Sequence, residues 1–473
     1  MKSIALDGPD GRLRARRWDV VVLGTALPGL VAAVRLGMAG ARVLVVAEDA
    51  AAKTAPLLLE PFYLAGARAE GVLQQCLTAL GVPPIERRGA DRSELSYQVL
   101  LPGARIDVGL AGRTQEEWVS WGLAKPELAR DAVRGLESAA HAEAEALLEA
   151  TLIRRGVRRT PARPAQAAAR PGGRHLRGLP AALSRPEPAL ARFLDVQVRA
   201  LAQLASAQPS PEARARLLGA PLEGGIQFAP GRGVRALLRR RLEQVHGEVR
   251  VATPPFELVE IDGHPGIALW RQRDAWIGRA LVLNAPLGRL AALFERADAA
   301  VPEYLRQPGP TRRRTGVQMR AARELLPEPM CDRLIVVEED GADPILVAVH
   351  PVDREPRHVD VTVIQAVEDD ADLPAAHDRL EAVARKLLPF SERRAVRVAE
   401  APRPVWDDEL ALGDPAGGGG GWPTEVEIRV ATRAPVFALA REELGGLGAE
   451  GDLLLGWQAG DTIAAALPKP ALG

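Results

Sequence analysis

The residues whose types and spacing carry chemistry lie near the start of the chain. Gly24, Ala26 and Gly29 punctuate the turn GTALPG, and Thr25 and Leu27 complete its contact set. Before the turn runs DVVVL (residues 19–23), and after it an Ala/Leu/Val-rich stretch (residues 30–39). A strand feeding a helix through such a turn aims the helix's unpaired N–H groups and its partial positive charge at one point, which suits a pyrophosphate. The first glycine makes the turn, the middle residue faces the phosphate, and the third lets helix pack on strand. Ala26 at the middle position narrows the approach by one methyl group. An acid about twenty residues on would hold ribose hydroxyls. Ala47 stands at the expected place, and Glu48 follows it.

The elements that position these residues form one βαβ unit. A buried strand (19–23), a helix ended by Gly40 and a second buried strand (43–46) span about thirty residues, the length of a nucleotide-binding crossover. A second strand, glycine loop and helix occur at the C-terminus. PVFALA (435–440) precedes the glycine-rich loop 445–451, and a helix runs on to Leu467. A two-ended dinucleotide can use both helix N-termini.

The composition is that of a globular protein with 473 residues, 47% apolar and 26% charged, which calls for two intertwined domains. Formal net charge is zero, so the whole molecule exerts no pull on nucleic acid. Cys76 and Cys331 lack any CxxC context, and the seven histidines never fall at metal-ligand spacing, which argues against a disulfide framework or metal site. His350, alone on an apolar strand, reads as a core histidine. The first residues lack a secretory apolar core, and no apolar run suffices to span a bilayer. The expected location is the cytoplasm, with membrane association as an option.

The rest of the chain alternates helical and strand-rich stretches. Residues 71–80 read as a helix, and 96–101 with 105–108 as a hairpin around Pro102-Gly103. Residues 114–218 are helical in pattern, except for a basic stretch from Arg154 to Arg185 with nine arginines and no acid. It reads as a solvated loop or as a contact for anionic lipid headgroups. No aromatic residue interleaves the arginines, so nucleic acid is not expected. Gly231-Arg232-Gly233 opens a helix, strands follow at 249–251 and 256–261, a hairpin at 266–277 and a buried strand at 279–284. Residues 315–364 alternate as strands of a sheet with one wet face. Residues 373–388 read as an amphipathic helix, and five glycines (417–421) as a connector.

Four stretches together resemble the flavoprotein superfamily that contains phytoene desaturases and flavin amine oxidases. They are DVVVLGTALPGL with VLVVAED, FAPGRGVRALLRRRLEQVHGEVRV, RALVLNAP, and LAREELGGLGAEGDLLLGWQAG. The resemblance implies an α/β fold: a Rossmann-type FAD/NAD(P)-binding domain with an interleaved substrate domain of antiparallel or mixed sheet plus helices. The FAD domain would take residues 18–113, 220–295 and 424–468. A helical insert (114–219) and a strand-rich substrate domain (296–423) would fill the rest. The implied cofactor is FAD. Gly24, Thr25, Ala26, Leu27 and Gly29 would line its pyrophosphate and Glu48 would hold the ribose. Backbone near Phe256 would face the adenine, while Glu442, Gly448, Ala449 and Glu450 would lie near the flavin. The family's Gly-Gly-Arg segment after the ribose acid is missing, and Arg441 stands where members often have glycine.

The implied activity is a desaturase-like FAD-dependent oxidoreductase taking a hydride from an apolar isoprenoid or carotenoid-like substrate, with no catalytic residue assignable. Amine oxidation is the competitor within the class, but no tyrosine lies in the C-terminal segment. The alternative from another class is a non-catalytic flavoprotein-like fold serving as a lipid- or protein-binding module. The Rab-escort and GDP-dissociation-inhibitor branch, which resembles these enzymes in fold, works in that way.

Overall fold

The computed structural model describes residues 1–4, 13–65, 71–87, 90–149, 179–228, 233–253, 256–286, 288–290, 293, 311–339, 343–353, 355–415, 426, 428–430 and 434–467. The basic stretch lies outside them up to residue 178, as does the glycine run at 417–421.

The first sheet grows from the βαβ unit. Arg14–Leu23 lies between Val43–Glu48 and Asp274–Leu283, parallel to both, and Glu248–Ala252 extends the parallel set beyond Val43–Glu48. Val436–Ala438 adds in parallel to the far end of Asp274–Leu283. The antiparallel strands Glu257–Ile261 and His264–Leu269 continue the sheet outward, and Lys2–Ile4 closes its edge. Valines and leucines fill Val43–Glu48 and the second half of Arg14–Leu23, because these strands are covered on both faces. Residues 266–284 form one antiparallel turn into a single ten-residue strand, Asp274–Leu283, rather than a hairpin plus a separate strand.

Leu27–Met38 packs on this sheet and against the C-terminal helix Ala449–Ala466 in one apolar cluster with Leu30, Val31, Val34, Leu453, Leu454 and Ile463. The two helices touch closely because Gly456 and Gly460 have no side chains. A Cβ at Gly456 would stand 2.4 Å from the Pro28 carbonyl, and one at Gly460 2.6 Å from Arg35 Cβ.

The second sheet runs Ala395–Glu400, Arg312–Ala322, His358–Glu368, Ile345–Pro351, Arg333–Val336, Leu95–Leu101 and Ala104–Gly109. The hairpin at 95–109 therefore joins this sheet. One face is covered by Leu373–Leu387, whose Leu380, Val383 and Ala384 pack on Val317, Met319, Val361 and Val363. Beside the hairpin, the helices Ala111–Ser120, Pro126–Glu149, Pro188–Leu201 and Pro211–Gly219 form a third layer around Trp118 and Phe193. The face expected to be wet carries Arg314, Leu346, His350, Thr362 and Ile364, and it lines a cleft. Among the described residues no helix is long and apolar enough to cross a membrane.

Candidate functional site

The glycine turn has the geometry of an anion cradle. Gly24 takes φ +110°, and its N–H donates to the Val46 carbonyl at 2.9 Å. Asn284, at the end of the neighbouring strand, donates from Nδ2 to the carbonyls of Gly24 (3.1 Å) and Ala26 (3.0 Å). Gly29 gives Asn284 its place, because a Cβ would fall 2.0 Å from Asn284 Nδ2 and force that side chain to shift. The helix then starts at Leu27 with Pro28 in its first turn, no side-chain cap from Ala26 and no acid in its own first turn. Pro28 has no N–H, and those of Gly29 (3.0 Å) and Leu30 (3.2 Å) donate to the Ala26 carbonyl, so the Leu27 N–H and the helix dipole are what is left for a partner from elsewhere.

That partner is the chain's own segment 405–409. Asp407 Oδ1 accepts from the Thr25 N–H at 2.7 Å, and its Oδ2 from the Thr25 hydroxyl at 2.9 Å. The Glu48 N–H also reaches Asp407 Oδ2, at 3.2 Å. Glu409 Oε1 accepts from the Leu27 N–H at 3.2 Å, and its other oxygen pairs with Arg235, which donates to the Thr25 carbonyl at 3.0 Å. Glu48 is buried at the end of its strand, and its carboxylate faces away from open space. It accepts from the N–H groups of Val405 (2.7 Å), Trp406 (2.8 Å) and Asp407 (3.2 Å). Trp406 is buried edge-on against Phe256, with ring centroids 5.4 Å apart and planes at 88°. Burial pushes the Asp407 carboxyl up to about 6, against the hydrogen bonds from Thr25 and Glu48 and the charge of Arg235. Burial likewise pulls Arg235 down to about 10.

The sequence-expected residues thus fall into two groups. Gly24, Thr25, Leu27, Glu48 and Phe256 converge on segment 405–409, while Ala26 and Gly29 pack on Asn284. Gly448, Ala449 and Glu450 start the C-terminal helix on the side of the helical layer. Gly448 has φ +60° and no room for a Cβ, which would lie 2.6 Å from the Leu201 carbonyl. Glu450 forms a buried bidentate pair with Arg216, both contacts 2.8 Å. Glu442 is buried beside Gly413, where a Cβ would meet its Cγ at 2.6 Å. Arg441 pairs with Asp452 at 2.7 Å and donates to the Glu409 carbonyl.

Beyond Leu27 the cradle opens into a cavity of about 70 Å³ over the face of the second sheet. Leu57, Leu59, Phe62, Leu346 and Ile364 give it apolar walls, and Leu410 and Leu412 reach it from the chain just past the segment. Two arginines on its walls have no carboxylate within ion-pair distance among the described residues. Arg314 donates to the carbonyls of Ala200 (2.9 Å) and Ala202 (2.8 Å). Arg333 donates to the Ile226 carbonyl at 2.8 Å. Burial, and then the charge of Arg441, pulls Arg314 down to about 10. Burial brings His350, also on the wall, down to about 4, so its ring is neutral at pH 7. Glu60 faces the N-terminus of Val234–Gln244, and burial raises its carboxyl to about 7.

Solved structures of oxidases share this architecture. A double mutant of putrescine oxidase matches 95% of this chain and all of its own, with TM-score 0.56 and 12% identity. The chain shares the fold of putrescine oxidase. An oxidoreductase from Methanosarcina mazei (93% of this chain, 98% of its own, TM-score 0.55, 13% identity) shares it. So does cyclohexylamine oxidase from Brevibacterium oxydans IH-35A (95% and 99%, TM-score 0.53, 14% identity). No protein-family model and no curated protein sequence matches the chain.

FAD is the cofactor that the sequence resemblance calls for, and the donor set of the cradle fits it in type: the Thr25 and Leu27 N–H groups at the helix start, an acid at Glu48, an aromatic at Phe256 and a cation at Arg235. The space does not fit in this conformation. The Thr25 and Leu27 N–H groups and both oxygens of Glu48 are engaged by segment 405–409, and the cavity is well below the roughly 300–1,000 Å³ of small-molecule pockets. Sequence reasoning missed Trp406, Asp407, Glu409 and Arg235. The available signal was WDDE, an aromatic and three acids in a row behind the proline-bearing stretch APRP.

Proposed function

We propose that the chain is an FAD-dependent oxidoreductase acting on a substrate with an apolar, isoprenoid- or carotenoid-like body and an anionic end. The observation that carries the reading is the continuity of cradle and cleft. The glycine turn and Glu48 lie at the C-terminal ends of neighbouring parallel strands of the first sheet, and Leu27 in the helix's first turn also walls the cavity. A dinucleotide held by the turn and Glu48 would have Leu27 and that cavity beside it. FAD, when bound, supplies the electron chemistry. This chain's residues would orient the substrate: the cavity must widen from its present volume of about 70 Å³ for the leucines and Phe62 to hold the apolar body and exclude water, and Arg314 and Arg333 would take a carboxylate or phosphate.

The test is the visible spectrum of the purified protein after incubation with FAD and removal of the excess. A retained flavin band, bleached anaerobically by a polyene acid and less by the matching hydrocarbon, is the expected result. Equal bleaching by both sinks the anionic end, and bleaching by neither sinks the substrate class. A second reading, a binding module without flavin, is favoured by the filling of the cradle by segment 405–409. A peripheral contact of the arginines from Arg154 to Arg185 with anionic lipid belongs to the same proposal. Co-sedimentation with phosphatidylserine vesicles, lost when those arginines become glutamines, tests it.

A further inference from the structure

We propose that segment 405–409 is an internal ligand of the dinucleotide site, which imitates a nucleoside diphosphate and must leave before the cofactor can enter. The inference rests on the reading of the site as an FAD site. It follows from the order of chemical groups along five residues.

In a βαβ nucleotide site the pyrophosphate lies at the helix N-terminus, the acid after the second strand holds the ribose, and the base lies beyond that acid. Trp406 puts a flat aromatic ring beyond Glu48, against Phe256. The backbone N–H groups of 405–407 give Glu48 the donors that ribose hydroxyls would supply. Asp407 and Glu409 put two carboxylates on the Thr25 and Leu27 N–H groups and on Arg235. Asp408, the one residue between them, turns away to Arg313 (3.4 Å) and Arg289 (3.8 Å). Base, ribose and paired anions thus occur in the order that a nucleoside diphosphate would present.

A bound dinucleotide and this segment exclude one another. A pyrophosphate would need the same N–H groups, and its negative charges would sit beside two buried carboxylates. The segment can leave without tearing a sheet. It has no helix or strand of its own, and its flanks stay pinned by Ala401 N–H to the Gly316 carbonyl (2.8 Å) and by the pairing of Ala411–Leu412 with Arg313 and Arg312. Pro402 and Pro404 precede it.

The experiment uses the full chain, with FAD and ADP as probes. Titration is read by calorimetry, and hydrogen exchange by mass spectrometry over the peptide containing 405–409. In the wild type, saturating FAD should speed exchange of that peptide. A W406A/D407A/E409A variant, which keeps Glu48, Phe256, Arg235 and the glycine turn, should bind ADP at least about tenfold more tightly, because a competing self-ligand scales the apparent affinity by the fraction of time the site is free of it, here about a tenth or less. FAD bound to the wild type with the 405–409 amides still protected overturns the internal ligand and leaves the FAD reading standing. A folded variant that takes up neither ADP nor FAD overturns the FAD reading and the inference with it. Should the triple variant fail to fold, the wild-type exchange arm decides alone: protection lost on FAD binding supports the inference, and protection kept refutes it.

Discussion

Replacing Trp406 with alanine tests the physical basis of the filled cradle. Trp406 is 1% exposed and belongs to the cluster of Leu44, Val46, Phe256 and Leu283. Removing a buried tryptophan side chain costs about 3–5 kcal/mol. Losing its edge-to-face contact with Phe256 adds about 0.5–1.5 kcal/mol. Against this, the indole Nε1 has no hydrogen-bond partner among the described residues, so truncation removes a stranded donor and recovers about 1–3 kcal/mol. The expected net loss is about 3 kcal/mol, on the order of these terms combined. W406F keeps a ring against Phe256 and removes the stranded donor, so it should fall within about 1 kcal/mol of the wild type. Urea unfolding followed by circular dichroism and fluorescence gives both values, provided that the two probes coincide and the slope is unchanged. Added indole should raise the midpoint of W406A and not that of the wild type, because the vacated cavity is apolar and closed. W406A unfolding with the wild type, or W406F losing as much as W406A, would refute the packing argument.

Three further outcomes follow from the same geometry. The Asp407 carboxyl is raised in the folded chain to about 6 from 3.8, mainly by burial, so its contribution to stability is full below the lower value and lost as pH rises through the higher one. Stability should therefore decline more between pH 4 and 7 in the wild type than in D407N, with exchange at 405–407 speeding in parallel; equal pH profiles would contradict it. Glu450→Ala strands the buried Arg216 guanidinium and should cost about 3–5 kcal/mol in urea unfolding, whereas R216M/E450L should regain most of the loss, since a matched apolar pair leaves no lone charge. Gly29→Ala puts a methyl group into Asn284 and should cost about 1–3 kcal/mol, measured as a lowered melting midpoint; an unchanged midpoint would mean that the turn yields freely.

Much of the scaffold was legible because it rests on local patterns. Apolar runs of β-branched residues marked the strands at 19–23 and 43–46, which the structure extends to Arg14–Leu23 and Val43–Glu48, and the helix expected at 30–39 runs from Leu27 to Met38. The helical and strand-rich stretches also fell where their periodicity put them, with Leu373–Leu387 ending as its proline required. Strand partners were less legible. The hairpin at 95–109 pairs with Arg333–Val336, more than two hundred residues away, and nothing in its own alternation names that neighbour.

The sequence by itself determined that a strand, a glycine turn and a bare helix N-terminus would form an anion cradle with an acid one strand away. Those features follow from backbone sterics and from hydrogen-bond groups left unpaired within about thirty residues. Only the tertiary structure decided what meets that cradle. Asp407 and Glu409 come from some 380 residues further on, and Glu48 turns its carboxylate to the backbone of 405–407 because that is where buried donors need an acceptor. Charge pairing and burial act through space. Four consecutive residues, WDDE, therefore carried no visible meaning until the fold set them against a helix end that has no cap of its own.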